Sequence, residues 1–131
     1  MNTQQLALVT YEQAKRLKAL GFDWGTSAFW YYNPISREWA FREKTNILTS
    51  NNPRYDNAFS APTVALALEY VEQEKNIICE TFTQVKHFRL EYRFRYRVNY
   101  AEVKSGKVFE TRRLAASALL DEVITLIEKQ P

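Results

Sequence analysis

Between residues 88 and 100 apolar and polar positions alternate without a break. Phe88, Leu90, Tyr92, Phe94, Tyr96, Val98 and Tyr100 take the even positions; His87, Arg89, Glu91, Arg93, Arg95, Arg97 and Asn99 take the odd ones. Period-2 alternation puts each class on its own face of an extended chain, so the pattern predicts a half-buried β-strand with an aromatic face and an arginine face. A straight strand of that length would run about 43 Å, while a domain of this size has a radius of gyration of about 14 Å. The strand is therefore expected to curve, bulge or reach past the body. The apolar phase then slips, since Ala101 and Val103 are odd. A β-bulge or local break is expected between Val98 and Glu102.

Three segments follow the helical period instead. Thr10 as N-cap with Gln13 three residues on forms a capping box. It opens a helix from Tyr11 to Leu20, with Ala14, Leu17 and Leu20 as its apolar stripe. Gly21 closes it in the left-handed conformation, and Phe22 folds back on Leu17. Ser60 and Pro62 open a second helix, Thr63 to Glu74, with Val64, Ala67, Leu68 and Val71 inward. The third, about Leu114 to Lys129, turns Leu119, Leu120, Val123, Ile124 and Ile127 to the core and Ser117, Asp121, Glu122, Thr125 and Glu128 away.

Aromatic-rich strands over 28–32 and 38–42 flank Asn33-Pro34-Ile35-Ser36, a turn sequence, and read as a hairpin. Residues 45–60, rich in Asn, Ser and Thr, read as a surface loop. Ile77 to Phe82 reads as a further strand. Ser105-Gly106 reads as a turn between Val103 and Val108 that returns the chain as a short strand through Glu110. The order predicts one α+β domain over residues 1–131: a largely antiparallel twisted sheet with about three helices packed on one face.

Composition sharpens one point. The chain has 131 residues, 46% hydrophobic and 25% charged, which is ordinary globular material. Its net charge of +3 is unevenly spread. Residues 86–113 hold nine Lys or Arg against three Glu, net +6, and the remainder carries net −3. Such a zone is either a solvated face that resists edge pairing or a surface for a polyanion or an acidic protein. Arg89, Arg93, Arg95 and Arg97 are the candidate residues, spaced about 7–13 Å apart along the strand. That spacing allows backbone contact with a nucleic acid. The aromatics of the same strand lie on its opposite face, however, which disfavours base stacking. Trp30, Tyr32 and Trp39 of the hairpin form a second candidate surface, unless the first helix or the 45–60 loop covers them.

The chemistry-bearing residues are sparse. Cys79 and His87 are the only cysteine and histidine, too few for a zinc site. Cys79 lies among isoleucines, an environment that raises a thiol pKa and disfavours a nucleophile. Neither an EF-hand nor a phosphate-cradling glycine loop is present. No catalytic residue, metal ligand or cofactor site is expected, and the chain is not expected to be an enzyme. No stretch approaches the length of a membrane span, and Leu6-Ala7-Leu8-Val9 is short for a signal peptide. A cytoplasmic location without membrane association is expected.

Tyr11-Glu12-Gln13-Ala14 with Leu20-Gly21-Phe22-Asp23-Trp24, Ser60-Ala61-Pro62-Thr63-Val64-Ala65-Leu66-Ala67-Leu68, and Ala116-Ser117-Ala118-Leu119-Leu120-Asp121 together resemble blocks of a family of small proteins. Its members occur in Bacteroides-type bacteria and their phages and prophages, and their activities are largely uncharacterised. The resemblance covers mainly the helices, implies a phage or mobile-element setting, and brings no catalytic residues. The expectation is a non-enzymatic domain that binds another protein or a second copy of itself. The alternative is a nucleic-acid-associated accessory protein using the basic face over 89–97.

Overall fold

The computed structural model describes residues 8–24, 26–48, 58–99 and 101–130. Its elements run α1 (Tyr11–Ala19), β1 (Thr26–Asn33), β2 (Glu38–Leu48), β3 (Ala58–Ser60), α2 (Val64–Lys75), β4 (Ile77–Lys86), β5 (Arg89–Val98), β6 (Ala101–Lys104) and α3 (Arg112–Glu128). The fold is α+β and its sheets are antiparallel. The strands form two sheets rather than the one expected, in the orders β2-β1-β3 and β4-β5-β6. The chain correspondingly separates into two compact units, Met1–Thr63 and Val64–Pro131.

In the first unit α1 forms where its sequence marks both ends. The Thr10 hydroxyl accepts the Gln13 amide at 3.1 Å, and the Gln13 side chain accepts the Thr10 amide at 2.9 Å. At the other end Gly21 adopts φ 96°. The amides of Gly21 and Phe22 donate to the carbonyls of Lys18 and Leu17, both at 3.0 Å. This is the Schellman pair of bonds, which satisfies carbonyls the helix end would leave unpaired. Leu17 and Phe22 are both buried. The β1–β2 turn also forms as its residues require. Asn33 Oδ1 accepts the Ile35 amide at 2.9 Å, and Arg37 takes φ 58° to rejoin the ladder. Residues 45–48 extend β2, and 58–60 form β3 against β1, so the expected loop is shorter at both ends. Its central part, 49–57, lies outside the described residues.

The second unit packs α2 and α3 on β4 and β5. Its core joins Ile77, Phe94 and Tyr96 of the sheet to Leu119, Leu120, Val123, Ile124 and Ile127 of α3, the face expected of that helix. On α2 the expectation needs one correction: Leu68 is half-buried and Tyr70 is buried. Asn76 at φ 57° ends α2 and turns the chain directly into β4.

Three departures concern the long strand. It is one arm of a hairpin, not a thirteen-residue element. Its partner β4 pairs in continuous register from Ile77↔Val98 to Lys86↔Arg89. His87 and Phe88 form the two-residue turn at φ 52° and 64°, the left-handed pair that a tight type I′ connection demands. Phe88, expected on the apolar face, is fully exposed at the tip. At the other end the break between Val98 and Glu102 is a chain reversal rather than a bulge, because Val98 pairs with Ala101. Tyr100 itself lies outside the described residues. Lastly, Ser105-Gly106 does not reverse the chain. The segment continues along β5, where Phe109 bridges Tyr92 after Ser105 has bonded Phe94. Residues 106–108 bulge out opposite Arg93. The hydroxyl of buried Ser105 accepts the Phe94 amide at 3.2 Å and so closes the ladder where the backbone leaves it.

Candidate functional site

Residues directly opposite in an antiparallel ladder point to the same side, so the β4–β5 register fixes what accompanies each arginine. Arg97 stands opposite Ile78, Arg95 opposite Glu80, Arg93 opposite Phe82, and Glu91 opposite Gln84. From the third strand Glu102 stands opposite Arg97 and Lys104 opposite Arg95. The helix-facing side carries the other set, including the Cys79–Tyr96 and Thr81–Phe94 pairs. The arginine strand is therefore the centre of a mixed face, with Glu80 on one flanking strand, Glu102 on the other and Glu91 on the arginine strand itself.

Arg95 holds the middle. Its guanidinium bonds Glu80, lies 3.8 Å from Glu102, and covers the Phe82 ring at 5.1 Å from the centroid. Arg93 lies 4.0 Å from Glu91, which also accepts the Gln84 side chain at 2.9 Å. Its Nε is buried with no hydrogen-bond partner among the described residues. Arg97 is exposed and, with Ile78, Arg95 and Glu102, lines a recess of about 190 Å³. Arg89 lies at the far end of the strand, beside the turn and opposite Lys86. The structure thus gathers Arg93, Arg95 and Arg97 and leaves Arg89 with the hairpin tip. Phe82 corrects the expectation that aromatic rings are confined to the opposite face. That ring comes from β4, and Arg95 already occupies one side of it.

Trp30, Tyr32 and Trp39 belong to the first unit. Tyr32 pairs with Trp39 across the β1–β2 ladder, their rings 5.6 Å apart. Tyr11 of α1 packs against Trp39 at 4.7 Å and edge-on to Trp30 at 6.2 Å. All three candidate rings are half-buried, and the first helix supplies part of their cover.

Cys79 and His87 do not meet. They sit eight residues apart on one extended strand and turn, a separation of about 26 Å. The Cys79 thiol is pushed up to about 12 by burial and by the Glu72 carboxylate, so it is neutral and unreactive at physiological pH. Burial and a hydrogen bond with Glu122 raise the Tyr96 hydroxyl as well. Among the described residues no group of three His, Cys, Asp or Glu is placed to hold a metal ion. No helix among them is long and apolar enough to cross a membrane.

Comparison of the chain with family models, curated proteins and solved structures finds no match.

Sequence reasoning missed Ile78, Glu80, Phe82 and Glu102 as members of the arginine face. The signal was a change of phase. Ile77, Cys79 and Val85 are odd, whereas the apolar residues of β5 are even. A two-residue turn between the strands produces that inversion.

Proposed function

We propose that this chain is a non-catalytic binding module that engages another protein through the outward face of the β4–β5–β6 sheet. One observation carries the reading: Glu80, Glu91 and Glu102 interleave with Arg93, Arg95 and Arg97. A nucleic-acid backbone favours an uninterrupted row of cations, and here each phosphate would approach a carboxylate as well. Arg95 is neutralised by its neighbours and also covers the ring that a base would stack on. A protein surface is matched by charges of both signs, because complementary pairs fix register and reject wrong partners. Exposed Ile78 and Arg97 at the recess add an apolar anchor and a planar donor, both common at protein interfaces.

Affinity capture from a nuclease-treated extract of the source cells tests this. The parent chain is compared with the Arg93→Gln, Arg95→Gln, Arg97→Gln triple variant. The expected result is a protein retained by the parent, insensitive to nuclease and lost with the variant. Equal recovery by both chains, or recovery abolished by nuclease, overturns the reading.

A further inference from the structure

The β4–β5 hairpin ends in a tip whose features have no return within its own unit. Phe88 is 102% exposed, with Val85 at 71% and Leu90 at 61% beside it. His87 and Phe88 both hold left-handed backbone, a region that non-glycine residues, aromatic ones above all, enter at a cost. Lys86 and Arg89 face each other across the ladder, a like-charge pairing that weakens a hairpin. Strain, repulsion and exposed apolar surface coincide at one place. Local rules broken together in this way mark a functional contact.

The complement of that tip lies on the same chain. A groove of about 490 Å³ runs between α2 and β4, with Ala65, Leu68 and Cys79 as apolar lining and Glu69, Glu72 and Glu80 as acidic lining. Arg112, which also lines it, is the one cation among these residues, so carboxylates dominate. The tip is apolar with a basic rim and the groove is apolar with an acidic one. A chain cannot fill its own groove. Phe88 lies nine residues beyond Cys79 along the extended hairpin, about 30 Å away.

We propose that the occupant is a second copy of this chain, and that two copies exchange hairpin tips reciprocally across a two-fold axis. Among the described residues β5 is the only strand hydrogen-bonded to β4. Its other edge therefore carries no strand among the described residues, and β4 of the second copy would pair there, running antiparallel. In the register that sets Phe88 of each copy opposite Glu80 of the other, the ring reaches the stretch of Cys79, Glu80 and Thr81 that lines the groove. Two-fold symmetry makes both contacts identical, as an isologous dimer requires. Glu80 belongs to both surfaces, but Phe88, Glu69 and Glu72 have no part among the Arg93, Arg95 and Arg97 contacts, so variants at those positions test this proposal apart from the function proposed for that face.

Sedimentation equilibrium of the full chain tests it. The parent is expected to have twice the chain mass at high concentration. Phe88→Ser is expected to weaken the dimer about tenfold or more, as loss of a central aromatic anchor does. Two charge-reversed chains provide the specific test, each checked for native circular dichroism. One carries Lys86→Glu with Arg89→Glu, and the other carries Glu69→Lys with Glu72→Lys. Each is expected to be monomeric alone, and the mixture to form a one-to-one heterodimer in which both contacts are restored. The Arg93→Gln, Arg95→Gln, Arg97→Gln chain is expected to dimerise like the parent. A monomeric parent, or a dimer unaffected by Phe88→Ser, overturns the proposal, as does a mixture that remains monomeric. A monomeric parent that binds anionic lipid vesicles through Phe88 would assign the tip to a membrane surface instead.

Discussion

Ser105→Ala removes a side chain that substitutes for backbone in the ladder beside β5. The Ser105 amide donates to the Phe94 carbonyl at 2.8 Å, and its hydroxyl accepts the Phe94 amide at 3.2 Å. The same hydroxyl donates to the Lys107 carbonyl at 3.1 Å. Alanine keeps the first bond and fits the space, so no clash enters the comparison. The Phe94 amide loses its acceptor in a buried setting, and a buried donor left unsatisfied costs about 1–3 kcal/mol. The Lys107 carbonyl belongs to an exposed residue and regains water, so its contribution is small. The expected loss is about 1–2 kcal/mol, or roughly 5- to 30-fold in the folding equilibrium constant. A urea titration followed by circular dichroism measures the stability. Amide hydrogen exchange at Phe94 reports the bond itself, and should speed up by more than the global change. Ser105→Thr retains the hydroxyl and should retain protection at Phe94. An unchanged midpoint together with undiminished protection in Ser105→Ala would refute the closing role given to this hydroxyl.

Leu120→Asp is expected to abolish cooperative unfolding, because it places an unpaired charge at a fully buried position of α3. Leu68→Asp, at the half-buried lining of the groove, is expected to leave a folded chain with a smaller loss. Thermal melts of the two variants would separate these outcomes, and equal effects would show the burial assignment wrong. Cys79 should resist alkylation at about pH 8 in the native chain and react at the ordinary rate in urea, since only the thiolate attacks. Its folded pKa is raised, so its stabilising contribution is complete below the ordinary thiol pKa of about 8.5. That contribution is lost progressively as pH rises toward about 12. Cys79→Ala should flatten this alkaline decline in urea midpoint, and an unaltered slope would contradict the assignment.

Local chemistry was legible where a residue type has one structural use. Thr10, Gln13 and Gly21 marked both ends of α1, and the spacing of Leu119, Leu120, Val123, Ile124 and Ile127 marked the buried face of α3. Legibility failed where geometry is set by pairing at a distance. His87 and Phe88 carry none of the Asn-Gly chemistry that announces a tight hairpin, and Phe88 continues the alternation of β5, so the turn was hidden inside the pattern. Ser105-Gly106 does carry turn chemistry, yet the chain used it for a bulge that the Ser105 hydroxyl repairs. These two misreadings cost the candidate site most. Without the β4–β5 register, Glu80 and Phe82 could not be placed beside Arg95 and Arg93. The arginine row therefore read as more uniformly basic than the face that contains it.

The central claim is that this mixed face serves a protein and not a polyanion, and a gel-shift titration at low salt tests it most directly. Labelled single-stranded and duplex nucleic acids would be titrated with the parent chain at roughly 50 mM salt, where screening is weaker than under physiological conditions. The account predicts no saturable shift at micromolar protein. It would be contradicted by a saturable shift that weakens steeply as salt rises and disappears in the Arg93→Gln, Arg95→Gln, Arg97→Gln variant.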